Sequence, residues 1–275
     1  GADAATDLTL TVSNENGLVV SCIKPIAEVP FESSVEVDLG NVLSPHYFVG
    51  LEIVREERVC IELKRDKQTI AAETVTVTAL PFDYWQGTSG NAELLASFVR
   101  PKLADCARLQ AEIGVQLKKW GVPGEINGYE GCDKNVIRQT AAALYACIRR
   151  YAFEREECDI SAPVEAGSGV KLLNERRATP LEMALLVSAC LESLGLHPVL
   201  ILGEKEITCG VWLYDSCFMD TVSDDLQRLG KYVADGINNL SCFDVNDLFS
   251  DKNVAYSTSE AVSYTHLTLP TNREV

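Results

Sequence analysis

Basic residues are few in this chain: 24 lysines and arginines stand against 40 aspartates and glutamates, and the formal net charge is −16. A field of that sign repels phosphate backbones and anionic membrane surfaces, so direct binding to nucleic acid or to a membrane is disfavoured. Histidine is scarcer still, with only His46, His197 and His266. Chemistry that needs an imidazole therefore has few places to occur. Long apolar runs are also missing. The most apolar stretch, Met183 to Leu202, is interrupted by Glu192, Gly195, His197 and Pro198, and its unbroken parts are too short for a bilayer. There is no GxxxxGK[ST] phosphate loop, no GxGxxG turn behind a strand and no GxSxG elbow. Gly167-Ser168-Gly169 lacks the strand and lysine that a phosphate site needs. No cofactor is expected.

Cysteine is plentiful, with ten residues, but no CxxC pair occurs and no Cys/His cluster has zinc-like spacing. No metal is expected. Cys22, Cys60, Cys147 and Cys190 lie inside apolar runs. With no signal-peptide pattern at the start, the cysteines read as buried, reduced thiols of a cytoplasmic protein. At 47% hydrophobic and 23% charged residues, the composition is globular, and 275 residues suit one or two domains.

Two periods divide the chain. Leu8, Leu10 and Val12 alternate with threonines, as do Val75 and Val77. Val35, Val37 and Leu39 alternate with Glu36 and Asp38; Val59, Ile61 and Leu63 with Cys60, Glu62 and Lys64. Period two with one apolar face predicts antiparallel strands. Turns are expected at 14–17, 32–34 and 65–67. Several short strands at this spacing predict a small immunoglobulin-like β-sandwich over residues 1–83. Residues 84–90 read as a linker whose aromatic residues pack at a domain seam. From Asn91 the period becomes helical. Leu94, Leu95 and Phe98 open a short helix. Leu103, Cys106, Leu109, Ile113 and Leu117 mark a second, stopped by Gly121, Pro123 and Gly124. Val136, Thr140, Ala143, Leu144, Cys147 and Tyr151 mark a third.

The stretch RRATPLEMALLVSACLESLGLHPVLILGEKEITCGVWL is the most informative. Thr179 is a good N-cap, Pro180 suits the first helical position, and Glu182 completes a capping box. Leu181 to Leu194 is apolar nearly all round, so this helix should be buried. Gly195 ends it. Val199 to Leu202 and Cys209 to Leu213 then read as strands. Helix, strand and strand in that order form the core of transglutaminase-like and papain-like folds.

On these residues the chain resembles the transglutaminase-like N-terminal region of large bacterial helicase-related proteins. That family carries a motif like GTCLDLALL…LEQAGLHPLLVL…GHAFAGVWL. The likeness covers most of residues 8–261 and includes the LPFDYW junction, the helix GYEGCDKNVIRQTAAALYACIRR and the LGLHPVLIL…GVWL core. It implies an α+β protein: an immunoglobulin-like β-sandwich followed by a transglutaminase-like α/β domain at 91–261. It also implies where a thiol triad would lie. The nucleophile belongs at the start of the buried helix, where the electropositive helix end stabilises a thiolate. Here that residue is Pro180. The histidine belongs four residues before the glycine of GVWL; here it is Glu206. The acid of the following strand matches Asp244 in Phe243-Asp244-Val245-Asn246.

No catalytic residue is therefore expected. Thr179, Pro180, Glu206, Trp212 and Asp244 become candidates for a binding cleft, with an acidic wall suited to basic peptides. Glu206 beside Asp244 would raise the pKa of one carboxylate. Three cysteines were weighed as displaced nucleophiles. Cys190 lies about three turns into the helix, Cys209 points away from the face of Glu206, and Cys217 follows the strand with no histidine near it in sequence. His197 reads as a packed or hydrogen-bonded turn residue. The expected function is a non-catalytic binding or scaffolding module attached to a downstream helicase-type domain. The alternative is a thiol hydrolase or transferase using a displaced cysteine. The closing VSYTHLTLPTNREV, from Val262, resembles the translation of a sequencing adapter, so 262–275 are expected to be a non-native tail.

Overall fold

The computed structural model describes residues 4–90, 92–124, 127–166, 172–203, 206–234 and 237–268, except the side chains of 226, 227 and 265–268. Gly167-Ser168-Gly169, dismissed above as a phosphate site, lies outside the described residues. The protein is mixed α+β with antiparallel sheets, and the chain divides into two compact units, Gly1–Tyr84 and Trp85–Val275.

In the first unit, β1 (Ala5–Asn14), β2 (Cys22–Val29), β3 (Arg55–Arg65) and β4 (Gln68–Ala79) form one antiparallel sheet in the order β2-β1-β3-β4. A sandwich calls for a second, facing sheet; the described strands of this unit form only one. Leu8 and Val12 of β1 and Val59 of β3 turn inward, as their alternation predicts. The expected turn at 65–67 joins β3 to β4. Asp66 and Lys67 both have positive φ there, 49° and 68°, the geometry that matches hairpin twist. The expected strand at Val35–Leu39 does not form. That segment is irregular and leads through α1 (Pro45–Val49) to cover the core with Leu39, Val42, Tyr47 and Phe48. The strand β2 was not anticipated, because Lys24 and Pro25 interrupt its apolar run. An edge strand tolerates both residues.

Glu57 faces this core and is only 3% exposed. Its carboxylate accepts from the Tyr47 hydroxyl (2.7 Å), Asn16 Nδ2 (2.9 Å) and Asn14 Nδ2 (3.1 Å). These hydrogen bonds, that of Tyr47 first, hold its pKa below the ordinary value despite burial. A lowered folded-state pKa stabilises above the unfolded carboxylate pKa, and that stability is lost as pH falls through the folded value. Amide protection factors in β1 and β3 should therefore fall on acidification below about pH 4. Glu57→Gln should remove that part of the pH dependence while lowering protection at pH 7. Identical acid profiles for the two proteins would rule this role out.

In the second unit, β5 (Tyr84–Trp85) is followed by a 3₁₀ turn (Ala92–Phe98), α2 (Ala104–Lys119) and α3 (Lys134–Arg149). The expected linker at 84–90 is instead partly built into this unit. Trp85 is 1% exposed within its core, and the Thr88 N–H donates to the Ile160 carbonyl (2.8 Å). Asp133 caps α3 by accepting from the N–H groups of Asn135 and Val136. Cys106, Leu109, Ile113 and Leu117 are fully buried, as their spacing predicts.

Short elements follow: β6 (Glu154–Arg155), β7 (Val164–Glu165), α4 (Leu172–Glu175) and β8 (Arg177–Ala178). Next come α5 (Pro180–Ser193), β9 (Pro198–Leu202) and β10 (Ile207–Trp212). The unit ends with α6 (Leu226–Val233), β11 (Leu240–Asp244), a 3₁₀ turn (Val245–Leu248) and α7 (Tyr256–Thr268). The strands order as β11-β10-β9, all antiparallel. Helix α5 is buried nearly all round, as expected, among α2, α3 and this sheet. Gly195, with φ 74°, turns the chain from α5 to β9. A Cβ there would lie 3.0 Å from the Gly128 Cα, so two glycines make this corner possible.

The segment set aside from Val262 onward takes part in the fold as far as Thr268. Ser263 is buried, and the Tyr264 hydroxyl lies 2.9 Å from the Leu240 carbonyl and 2.8 Å from Glu260. Residues 269–275 lie outside the described residues.

Candidate functional site

The start of α5 is closed by its own side chains. Thr179 Oγ1 accepts from the Glu182 N–H (3.2 Å), and the Glu182 carboxylate accepts from the Thr179 N–H (2.8 Å). Pro180 occupies the first helical position, is buried and offers no nucleophile. The tight turn at Gly195 makes α5 and β9 run in opposite directions. Leu202, at the end of β9, pairs with Ile207, at the start of β10. The α5 start and the β10 start therefore share one end of the unit. Cys209 fits this placement, because its thiol lies 3.6 Å from the Ala184 carbonyl, one turn into the helix.

Asp244 lies at the same end. It closes β11 opposite Thr208, two residues beyond Glu206. Its Oδ1 accepts from the Asn246 N–H (2.8 Å) and Nδ2 (2.9 Å), which caps the 3₁₀ turn. Its pKa is raised, first by burial and also by the Asp247 and Glu206 carboxylates. The expected proximity of Glu206 and Asp244 is therefore present, although burial is the larger cause of the shift. Glu206 is exposed, and its carbonyl accepts from the Gly203 N–H (2.8 Å).

Trp212 does not join this group. It stands four residues beyond Thr208, about 13 Å along a strand. It is buried with Leu229, Val233, Leu240 and Cys242, and its ring meets Phe218 and Tyr232 edge-on. Distance along the strand separates it, because Glu206 and Trp212 share one parity of β10. Cys209 and Val211 pack in the core that contains α5, and Trp212 belongs to the opposite face. The cavity beside α5 is lined by residues including Phe98, Arg100, Leu103, Glu182 and Leu186, not by Glu206 or Asp244. Its volume is about 20 Å³, enough for one water.

The weighed cysteines fall as expected for two of three. Cys190 and Cys209 are buried, and burial drives the Cys209 pKa far upward. Cys217 is exposed near the opposite end of the sheet. The fold brings an imidazole close to its neighbour: His197 Nδ1 donates to the Ser216 carbonyl (2.8 Å). Across the sheet, His197 also meets Tyr129 edge-on.

A fourth cysteine, Cys158, also lies near the α5 start. Strand β6 pairs in parallel with β8, with Arg155 opposite Ala178, and the Glu156 N–H donates to the Ala178 carbonyl (2.9 Å). Continuing that register sets Cys158 beside the first turn of α5. The Leu181 backbone and the Thr179 side chain both act to lower its pKa. Burial nevertheless raises its pKa, and those two groups lower it less. Among the described side chains of this unit, the imidazole is that of His197, which belongs to the other end. Two-residue parallel pairing leaves no periodic signal in sequence.

No helix of the described chain is long and apolar enough to cross a membrane, and no group of three or more potential metal ligands occurs among the described residues. Comparisons with protein-family models, curated proteins and solved structures gave no match.

Proposed function

We propose that this chain is a non-catalytic, transglutaminase-like binding module that takes an extended basic peptide at the α5 start, beside Glu206 and Asp244. In this reading the first unit is its immunoglobulin-like structural companion. The whole is the cytoplasmic accessory region of a larger helicase-related protein and recruits a protein ligand to the motor. The observation that carries the reading is the helix start itself: a capping box and a buried proline stand where a thiol enzyme needs its nucleophile. The two carboxylates at the same end supply the acidic wall.

Fluorescence anisotropy with two peptides of equal length, one rich in lysine and one rich in glutamate, tests the binding. The basic peptide should bind about tenfold more tightly at low salt, and Glu206→Lys should remove most of that difference. Equal affinities for the two peptides would refute the acidic cleft.

The position of Cys158 favours a second reading, a thiol hydrolase or transferase with a displaced nucleophile. Iodoacetamide mapping at neutral pH distinguishes the two. Under the first reading Cys158 alkylates no faster than exposed Cys217. A single hyper-reactive Cys158 would support the enzyme.

A further inference from the structure

The three-stranded sheet of the second unit has two outer strands, and they are finished differently. Along β11 the outward backbone groups meet α7. The Tyr264 hydroxyl donates to the Leu240 carbonyl (2.9 Å), and the Asp244 N–H donates to the Ser259 hydroxyl (3.2 Å). Along β9 the inward groups are fixed by two bonds that flank the strand. The Gly203 N–H donates to the Glu206 carbonyl (2.8 Å), and the Trp212 N–H donates to the His197 carbonyl (3.1 Å). Ladder bonds alternate along an antiparallel pair. Odd-numbered residues of β9 therefore bond to β10. Leu200 and Leu202 each turn an N–H and a carbonyl outward, with the Pro198 carbonyl beside them. No described residue bonds to these outward groups.

The composition of β9 suits the inside of a sheet. Pro198-Val199-Leu200-Ile201-Leu202 carries no charge, and its register with β10 runs without a bulge. A run that is apolar on both faces belongs to a strand with neighbours on both sides. Leu200 and Leu202 pack against the α5 core, and Val199 and Ile201 against the Trp212 cluster. All five residues nevertheless stay partly exposed, whereas β10 and β11 are almost wholly buried. Natural edges are blunted by charge, proline or a bulge. Only Pro198 does so here, by removing one outward N–H at the start of the strand.

We propose that β9 is an acceptor edge, on which a lysine- or arginine-flanked segment of a partner protein lies extended and adds a fourth strand. The inference rests on the basic-peptide reading above and adds the backbone part of the recognition. In strand addition, main-chain hydrogen bonds give affinity and alternate side chains give specificity. Both faces of the guest extend apolar clusters, so its central residues are β-branched or aliphatic. Charge selects what flanks them. Asp215 lies 3.8 Å from the His197 ring, just before the strand. The turn after the strand reads Gly203-Glu204-Lys205-Glu206, two acids to one base. A guest of about seven residues covers the roughly 17 Å of β9 and sets one cation at each end. A second copy of the chain, itself at −16, is repelled from this edge.

Fluorescence anisotropy with the labelled peptide KVTVTVK tests the edge. Two further forms carry backbone N-methyl groups, one on the valines and one on the threonines. Strand addition uses N–H groups of one parity only, so one form should bind at least about tenfold more weakly while the other stays within about threefold of the parent. Leu202→Pro removes an outward donor without touching the ladder to β10, and it should weaken the parent peptide about tenfold. Circular dichroism confirms its fold. If that variant misfolds, amide exchange of the wild-type chain serves instead: the Leu200 N–H gains protection when the peptide is added, and those of Val199 and Ile201 do not change. Equal effects of the two N-methylated forms overturn the edge, while the acidic-wall reading survives if a glutamate-flanked peptide binds more weakly. A parity difference with equal affinity for the glutamate-flanked peptide overturns the choice of a basic partner and the reading it rests on. No binding of the parent peptide overturns both. A chain that dimerises, and turns monomeric as Leu202→Pro, gives the edge to a second copy and overturns the proposal as well.

Discussion

A Pro180→Cys variant is expected to carry a thiol no more reactive toward iodoacetamide at neutral pH than exposed Cys217. The double variant Pro180→Cys, Glu206→His is expected to react at least about tenfold faster. The single change restores sulfur to the electropositive end of α5, and a helix start contributes up to about 2 kcal/mol in favourable partly buried sites. Three things oppose it: the site is buried, and Glu206 and Asp244 lie at the same end of the unit. Cys158 already provides the comparison. The Leu181 backbone and Thr179 act to lower its pKa, yet burial raises it more. The helix end alone is therefore insufficient here. Exchanging Glu206 for histidine removes one repelling charge and introduces a group that can become an imidazolium, worth about 1–3 pKa units at contact distance. Rates against pH from 5 to 9, with the alkylated peptide identified by mass spectrometry, would measure both variants. Equal rates for the single and double variants would show that residue 206 does not face the helix start, and the transglutaminase-like reading would lose its geometry.

Glu260→Ala is expected to destabilise the second unit by about 2–4 kcal/mol. Glu260 Oε1 accepts from Arg138 Nε (3.0 Å), the Tyr264 hydroxyl (2.8 Å) and the Ser241 hydroxyl. Ser241 also shares a 2.6 Å hydrogen bond with Tyr256. These contacts tie α7 to β11 and α3. Removing the carboxylate takes this acceptor from the guanidinium, while the Tyr264 hydroxyl keeps the Leu240 carbonyl and Ser241 keeps Tyr256. Arg138 keeps 31% of its side-chain exposure, so water offsets part of the loss, and the expected range reaches below that for a fully buried broken pair. All three tryptophans, Trp85, Trp120 and Trp212, belong to the second unit. Tryptophan fluorescence in urea therefore follows this unit alone. Glu260→Gln, which keeps one acceptor, should fall between alanine and wild type. An unchanged midpoint for the alanine variant would mean that α7 is held by apolar contacts and not by this network.

Much of the second unit was legible because its signals are local. The capping box at Thr179 and Glu182 involves residues three apart, and the apolar steps of α2 and α3 repeat within one helix. The run Val199 to Leu202 needs no partner to read as a strand. Errors arose where long-range pairing decides the outcome. Val35 to Leu39 alternate as a strand should, yet that segment covers the core and pairs with nothing in the sheet. Lys24 and Pro25 hid β2, because an edge position excuses residues that a central strand would refuse. Trp212 shares its β10 parity with Glu206, yet it lies at the far end of that strand, packed among Leu229, Val233 and Leu240. Cys158 reaches α5 through a two-residue parallel pair, which no periodicity announces.

The meeting of Gly128 with Gly195 has a mechanical consequence. With the Gly128 N–H donating to the Leu194 carbonyl (2.8 Å), the approach to α3 and the exit of α5 form a corner with no slack for sliding. Helix α5 and strand β9 consequently resemble the two arms of a clasp riveted at one end. Any spreading of the arms to admit a guest must occur at the unriveted end, where Pro180 begins α5 and Leu202 ends β9.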